Sequence, residues 1–201
     1  MDCSSGTGTF LAMTAAHIFR KKLAAVGTTP EEATNEQIRQ AQNETAAWAA
    51  SNALGCDIDP FLAVASRMNL LFTTGNPCRV FRIDARTFPD GDLDGIEAAC
   101  PAMPLGSMDM VLLNPWFSTQ DTVSDTSILE RYDLGNNWER DEEGGFRNTG
   151  NLSTGGVPPE VLFIERALQW VKPGTGRVGI LLPDGLLGNP GDEYVRWWIL
   201  R

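Results

Sequence analysis

An asparagine, a proline and two aromatic rings close an apolar run in the middle of this chain, where residues 108–118 read MDMVLLNPWFS. Asn114 carries one side-chain acceptor oxygen. Pro115 bends the chain sharply and leaves the preceding peptide carbonyl without a competing local donor. Two acceptors at a strand edge suit the two protons of a planar –NH2 group, and Trp116 or Phe117 can stack on the ring that carries it. Such an amine is a poor nucleophile because its lone pair is delocalised into the ring. Hydrogen bonds to both protons localise that pair and stabilise the charge that develops as a bond forms to an electrophilic carbon. If the electrophile is a sulfonium methyl group, the leaving group departs neutral and needs no acid. A chain whose only histidine is His17 can manage that chemistry. A β-turn that merely buries two aromatic rings is the structural alternative.

Three further stretches place polar groups at strand ends. In DCSSGTG, Gly6 and Gly8 stand immediately before a helix, where they suit either a tight strand-to-helix turn or a negatively charged group on the free helix N–H groups. Asp2 adds a carboxylate that a cationic amine can pair with. A dinucleotide fingerprint is excluded, because Leu11 occupies the third glycine position. In GCDID, Asp57 is a candidate for ribose hydroxyls at the carboxyl edge of a sheet, whereas Asp59 reads as the cap of the helix starting at Pro60. In FRIDARTF, Asp84 is either a partner for a purine amino group or a turn aspartate.

These groups need a scaffold, and the sequence supplies alternating elements. Phe10, Leu11, Ala15, Ile18, Phe19 and Leu23 recur at helical spacing, with Gly27 as the stop. Residues 29–54 read as a polar, alanine-rich helix with Thr29 as N-cap and Pro30 at the first helical position. LGCDID is a short strand, PFLAVASRMNLLF a helix, CRVFRID a strand, and MDMVLLN a continuous apolar strand of the kind found in a parallel sheet covered on both faces. From 119 to 157 the pattern dissolves into Gly, Asn, Thr, Asp and Glu, which reads as a long loop. PPEVLFIERALQWVK is then a helix, PGTG a break, RVGILLP a strand and GDEYVRWWILR an amphipathic stretch. Strands alternating with helices predict an α/β fold: a doubly wound, mostly parallel sheet with helices on both faces. Only Met1 and Asp2 precede the first glycine turn and a helix runs into Arg201, so the sequence reads as a fragment, truncated at both ends, of one domain spanning residues 1–201.

Composition narrows the class. With 42% apolar and 21% charged residues, the 201-residue chain has the balance of a soluble globular protein. It contains no run long enough to predict a membrane helix and no basic leader ahead of an apolar segment, so a cytoplasmic location is expected. Cys3, Cys56, Cys78 and Cys100 form no CxxC pair, so no metal site is expected. A net charge of -10 repels phosphate backbones, so any nucleic-acid partner must be gripped from elsewhere.

Taken in order, DCSSGTGTFL, GCDIDPFLAVASRMNLLF, FRIDARTF, DMVLLNPWFS and LFIERALQWVKPGTGRVGILLPDGLLGN resemble the successive motifs of S-adenosylmethionine-dependent N6-adenine DNA methyltransferases of the gamma arrangement, similar to the modification subunits of type I restriction-modification systems. The resemblance covers most of the chain except residues 28–53 and 119–157. It implies a Rossmann-like methyltransferase fold with S-adenosylmethionine as cofactor. Asp2, Cys3, Ser4, Gly6, Gly8, Thr9 and Phe10 would line its methionine end, Asp57 would hold the ribose with Ile58 beside the adenine, and Asp84 with Ala85 would meet the adenine amino group. Asn114 and the Pro115 carbonyl would grip the target amine, with Trp116 and Phe117 beside the flipped base. Cys3, Ser4 and Ser5 depart from the Pro-Ala-Cys usual after the first aspartate, and Trp116 stands where proline is commoner. DNA would be bound through a recognition domain or subunit outside this chain, with restriction and specificity subunits as further partners. The Asn-Pro edge also serves methylation of protein glutamine amides and of guanine N2 in RNA, and a catalytically decayed scaffold domain is the non-enzymatic alternative.

Overall fold

The computed structural model describes residues 1–117 and 121–201. It has a mixed α/β architecture built on parallel strand pairs. Helix α1 (Thr9–Ala25) leads into α2 (Asn35–Asn52), β1 (Leu54–Asp57), α3 (Pro60–Thr74), β2 (Arg79–Arg82), α4 (Ile96–Ala102) and β3 (Met110–Leu113). After these come α5 (Thr126–Leu129), β4 (Asn136–Arg140), β5 (Phe146–Leu152), α6 (Pro159–Trp170), β6 (Arg177–Ile180), α7 (Asp184–Gly188) and α8 (Glu193–Leu200).

β1 pairs in parallel with β2, and β3 with β6. The first residues of the chain reach both pairs. Asp2 N donates to Leu54 O and Cys56 N to Asp2 O, each at 2.9 Å, while Leu112 N donates to Met1 O at 2.8 Å. β1 is buried at three of its four positions, whereas β3 and β6 alternate, with Met110 45% exposed at the start of β3. Val111 and Leu113 pack with Cys3, Cys56, Ile83, Phe88 and Trp170 in one core cluster, where the Trp170 ring N–H is satisfied by Met103 O at 2.9 Å. A second cluster joins Leu129, Tyr132 and Leu134 to Val161, Leu162 and Val195. Among the described residues no helix is long and apolar enough to cross a membrane, and all four cysteines are free.

Two expectations are corrected. Helix α2 starts five residues later than expected, capped by Thr34 rather than Thr29, because Thr34 forms a capping box: its hydroxyl accepts from Gln37 N, and the Gln37 side chain accepts from Thr34 N. Residues 29–33 make only a turn, with Ala33 N donating to Thr29 O at 2.9 Å. The stretch from 119 to 157, read as one long loop, carries α5, a 3₁₀ turn at Asp133–Gly135 and the antiparallel hairpin β4–β5; its first residues, Thr119 and Gln120, lie outside the described residues. The hairpin is fixed by α8, whose Trp197 and Tyr194 rings lie 6.1 and 6.4 Å from Trp138. Sequence-local patterning does not reveal such a support.

Candidate functional site

Four segments, three of them following strands, converge on one cavity of ≈ 720 Å³. Its wall includes Cys3, Ser4 and Gly6 after the chain start, Asp57 and Ile58 after β1, and Asp84 and Ala85 after β2. Asn114, Pro115, Trp116 and Phe117 after β3 complete that set. Parallel pairing aligns the carboxyl end of β1 with that of β2, and the hydrogen bonds of residues 1–2 to Leu54, Cys56 and Leu112 bring the β3 end to the same cavity.

The glycine turn is tied down at its centre. Gly6 N donates to Asp57 Oδ2 at 2.8 Å, and Asp59 N to Asp57 Oδ1 at 3.0 Å. Each Asp57 oxygen thus keeps acceptor capacity for a ligand hydroxyl. Asp59 caps α3 as expected, accepting from Leu62 N at 2.9 Å. Gly6 adopts φ +51 and Gly8 φ +79, the left-handed backbone that favours glycine. A Cβ on Gly8 would lie 2.6 Å from Ser66 Oγ, so this glycine also permits the turn to lie against α3. Ser4 Oγ is buried in the wall without a hydrogen-bond partner.

After β2, Asp84 forms a two-pronged pair with Arg86, at 2.9 Å from Nε and 2.7 Å from Nη2, and accepts from Arg86 N at 2.9 Å. The Asp84 contact raises the Arg86 pKa above the usual guanidinium value. At the β3 end, Pro115 is buried while Asn114 is exposed, with Trp116 59% and Phe117 39% exposed. Among the described residues the Asn114 side-chain amide takes no partner. It is turned away from the core and shares a wall with Gly6.

The remaining expected residues fall elsewhere. Asp2 is 1% exposed, accepts from Ser4 N at 3.1 Å, and has its carboxyl pushed up to about 7 chiefly by burial. It lies behind the wall rather than in it. Gly8 packs on Ser66, and Thr9 is exposed with its hydroxyl 3.3 Å from that of Thr7. Phe10 does not line this cavity: the chain has already turned into α1, and the ring borders a separate cavity of ≈ 590 Å³ with Thr14, His17 and Trp48. Burial also pushes the Cys3 thiol far above its usual value, which removes it as a nucleophile at neutral pH.

Sequence inspection missed several wall residues: Arg86, Leu62 and Ile83, and Pro159 with Phe163 on α6. The four-residue spacing of the last two on one helix was the available signal. Compared with known proteins, the chain matches no protein-family model and no curated protein sequence.

Proposed function

We propose that this chain is the catalytic part of an S-adenosylmethionine-dependent methyltransferase acting on the N6 amine of adenine in DNA, on a doubly wound, Rossmann-like sheet. The observation that carries this is the shared cavity: the glycine turn, the two acid-bearing strand ends and the Asn114–Pro115 edge all open into it. The hydrogen bonds of Met1 and Asp2 to both strand pairs support the order β2, β1, residues 1–2, β3, β6.

The lining suits the cofactor. A volume of ≈ 720 Å³ falls among cavities that hold small ligands, roughly 300–1,000 Å³. Asp57 has acceptor capacity for ribose hydroxyls, and the half-exposed Ile58 offers an apolar surface to a purine. Bound S-adenosylmethionine would supply an electrophilic methyl group with a neutral leaving group.

The chain's own contribution is orientation and charge. Asn114 Oδ1 and a backbone carbonyl at Pro115 accept the two amine protons, drawing the nitrogen lone pair out of conjugation as it attacks. Trp116 and Phe117, both exposed at the cavity, provide faces for an extruded base. The net charge of -10 means that most DNA affinity comes from a recognition domain or subunit outside this chain, as in a restriction-modification assembly.

Calorimetry with S-adenosylhomocysteine tests cofactor binding. Transfer of labelled methyl groups, followed by nucleoside analysis, tests the acceptor. The expected product is N6-methyladenine in DNA; label confined to protein amides or to RNA guanine would reassign the acceptor, and absence of cofactor binding at millimolar ligand would remove the proposal.

A further inference from the structure

We propose that Arg86 is a positioning residue that sets purine selectivity, holding the Asp84 carboxylate so that a 6-amino purine is admitted and a 6-oxo purine is rejected. This rests on the cofactor assignment above and extends it to a residue of the FRIDARTF stretch to which the resemblance gives no role.

Counting acceptor sites gives the first step. A carboxylate oxygen has room for about two hydrogen bonds. Asp84 Oδ1 is filled by Arg86 N and Arg86 Nε, both at 2.9 Å, whereas Oδ2 takes only Arg86 Nη2 at 2.7 Å. One acceptor site therefore remains, on Oδ2. Asp84 borders both the ≈ 720 Å³ cavity and an adjoining ≈ 170 Å³ slot whose apolar sides are Ile58, Ile83, Leu93 and Ile96. A flat ring in that slot meets an edge able to accept one N–H.

The second step is rigidity. The Arg86 carbonyl accepts from the Tyr132 hydroxyl at 2.7 Å and from Arg166 Nη2 at 3.0 Å, and the Thr87 carbonyl accepts from Arg131 Nη1 at 3.0 Å. Tyr132 and Arg166 are each 2% exposed. The loop is thus braced from behind, and the two-pronged guanidinium fixes the plane of the carboxylate as a single cation on a flexible stem cannot. A carboxylate offers acceptors only. A 6-amino group satisfies Oδ2, while a 6-oxo group sets two acceptors against each other.

The test compares binding of S-adenosylhomocysteine and S-inosylhomocysteine to the full chain by calorimetry. The wild type should favour the adenosyl ligand by about 10- to 100-fold, the scale of one charge-assisted hydrogen bond. In Asp84→Asn the amide oxygen takes the Oδ1 position, where two donors wait, and the amide NH2 at the Oδ2 position faces Arg86 Nη2, so no free acceptor remains and the adenosyl preference falls to about threefold or less. In Arg86→Gln, and in Arg86→Lys as the milder variant should the first fail to fold, the wild-type preference shrinks to about threefold or less. A wild type that binds both ligands equally, or an Arg86 variant that keeps the full preference, overturns the proposal while leaving the cofactor assignment intact. A wild type that binds neither ligand defeats the cofactor assignment itself.

Discussion

Replacing the Tyr132 ring hydroxyl by hydrogen should destabilise this protein more than removing a whole buried guanidinium. Arg166 donates from Nε to Tyr132 Oη at 2.9 Å and from Nη2 to Arg86 O at 3.0 Å, and its Cζ lies 4.9 Å from the Tyr132 ring centre. Tyr132 in turn donates to Arg86 O at 2.7 Å. Burial pushes its hydroxyl pKa up to about 12, so it remains a donor across ordinary assay conditions. Tyr132→Phe leaves Arg166 Nε buried and cationic without an acceptor, at a cost of about 2–3 kcal/mol. Arg166→Met removes both donors with similar bulk, yet the Tyr132 hydroxyl still serves Arg86 O and no polar atom is orphaned, so the cost should stay within about 1 kcal/mol. For a chain of this length each kcal/mol moves the melting temperature by about 2–4 °C, so the expected falls are about 4–12 °C for Tyr132→Phe and about 4 °C or less for Arg166→Met. Circular dichroism melts and urea midpoints measure both. An Arg166→Met variant less stable than Tyr132→Phe would refute the accounting by orphaned donors.

Asn114→Ala should leave S-adenosylhomocysteine affinity within about twofold and reduce methyl transfer by about 10²-fold, since it deletes one preorganised acceptor; calorimetry and single-turnover transfer separate the two. The Asp2 carboxyl is raised to about 7 by burial, so the folded chain binds this proton more tightly than the unfolded one. Its favourable contribution is therefore present below about pH 4 and lost as the pH climbs to about 7. Asp2→Asn should flatten that decline, seen as a gain in urea midpoint over wild type near neutral pH but not near pH 4. Gly8→Ala combines a left-handed backbone with a Cβ 2.6 Å from Ser66 Oγ and should cost about 2–3 kcal/mol in chemical denaturation. Ser66→Ala removes a buried hydroxyl that has no partner, and should be neutral or stabilising by up to about 1 kcal/mol in the same measurement.

The strand ends were readable because each pairs an apolar run with one chemically distinct terminator: Asp57, Asp84 or Asn114. Parallel pairing of β1 with β2 brings Asp57 and Asp84 together, and the hydrogen bonds of Met1 and Asp2 link β3, with Asn114 at its end, to that pair. Helix periodicity was equally plain in α1, α3 and α6, but it does not say which side of the sheet a face meets, and Phe10 consequently sits in another cavity. The hairpin escaped notice because NNWER and FRNTGNL lack alternation and draw their packing from α8, some forty residues or more downstream. Arg86 escaped because its importance lies in a loop geometry fixed by Tyr132 and Arg166, partners 46 and 80 residues away.

Helix α6 contacts both halves of the cavity. Pro159 and Phe163 stand in the wall that also holds Trp116 and Phe117, and Arg166, three residues after Phe163, grips the carbonyl of the loop bearing Asp84. On the proposed function, this one helical rod touches both the donor and the acceptor compartments. Thermodynamic linkage then requires that whatever factor an occupant of one compartment applies to the other's affinity be returned in equal measure. Loosening the rod at Arg166 should weaken that cross-talk before it weakens either ligand alone.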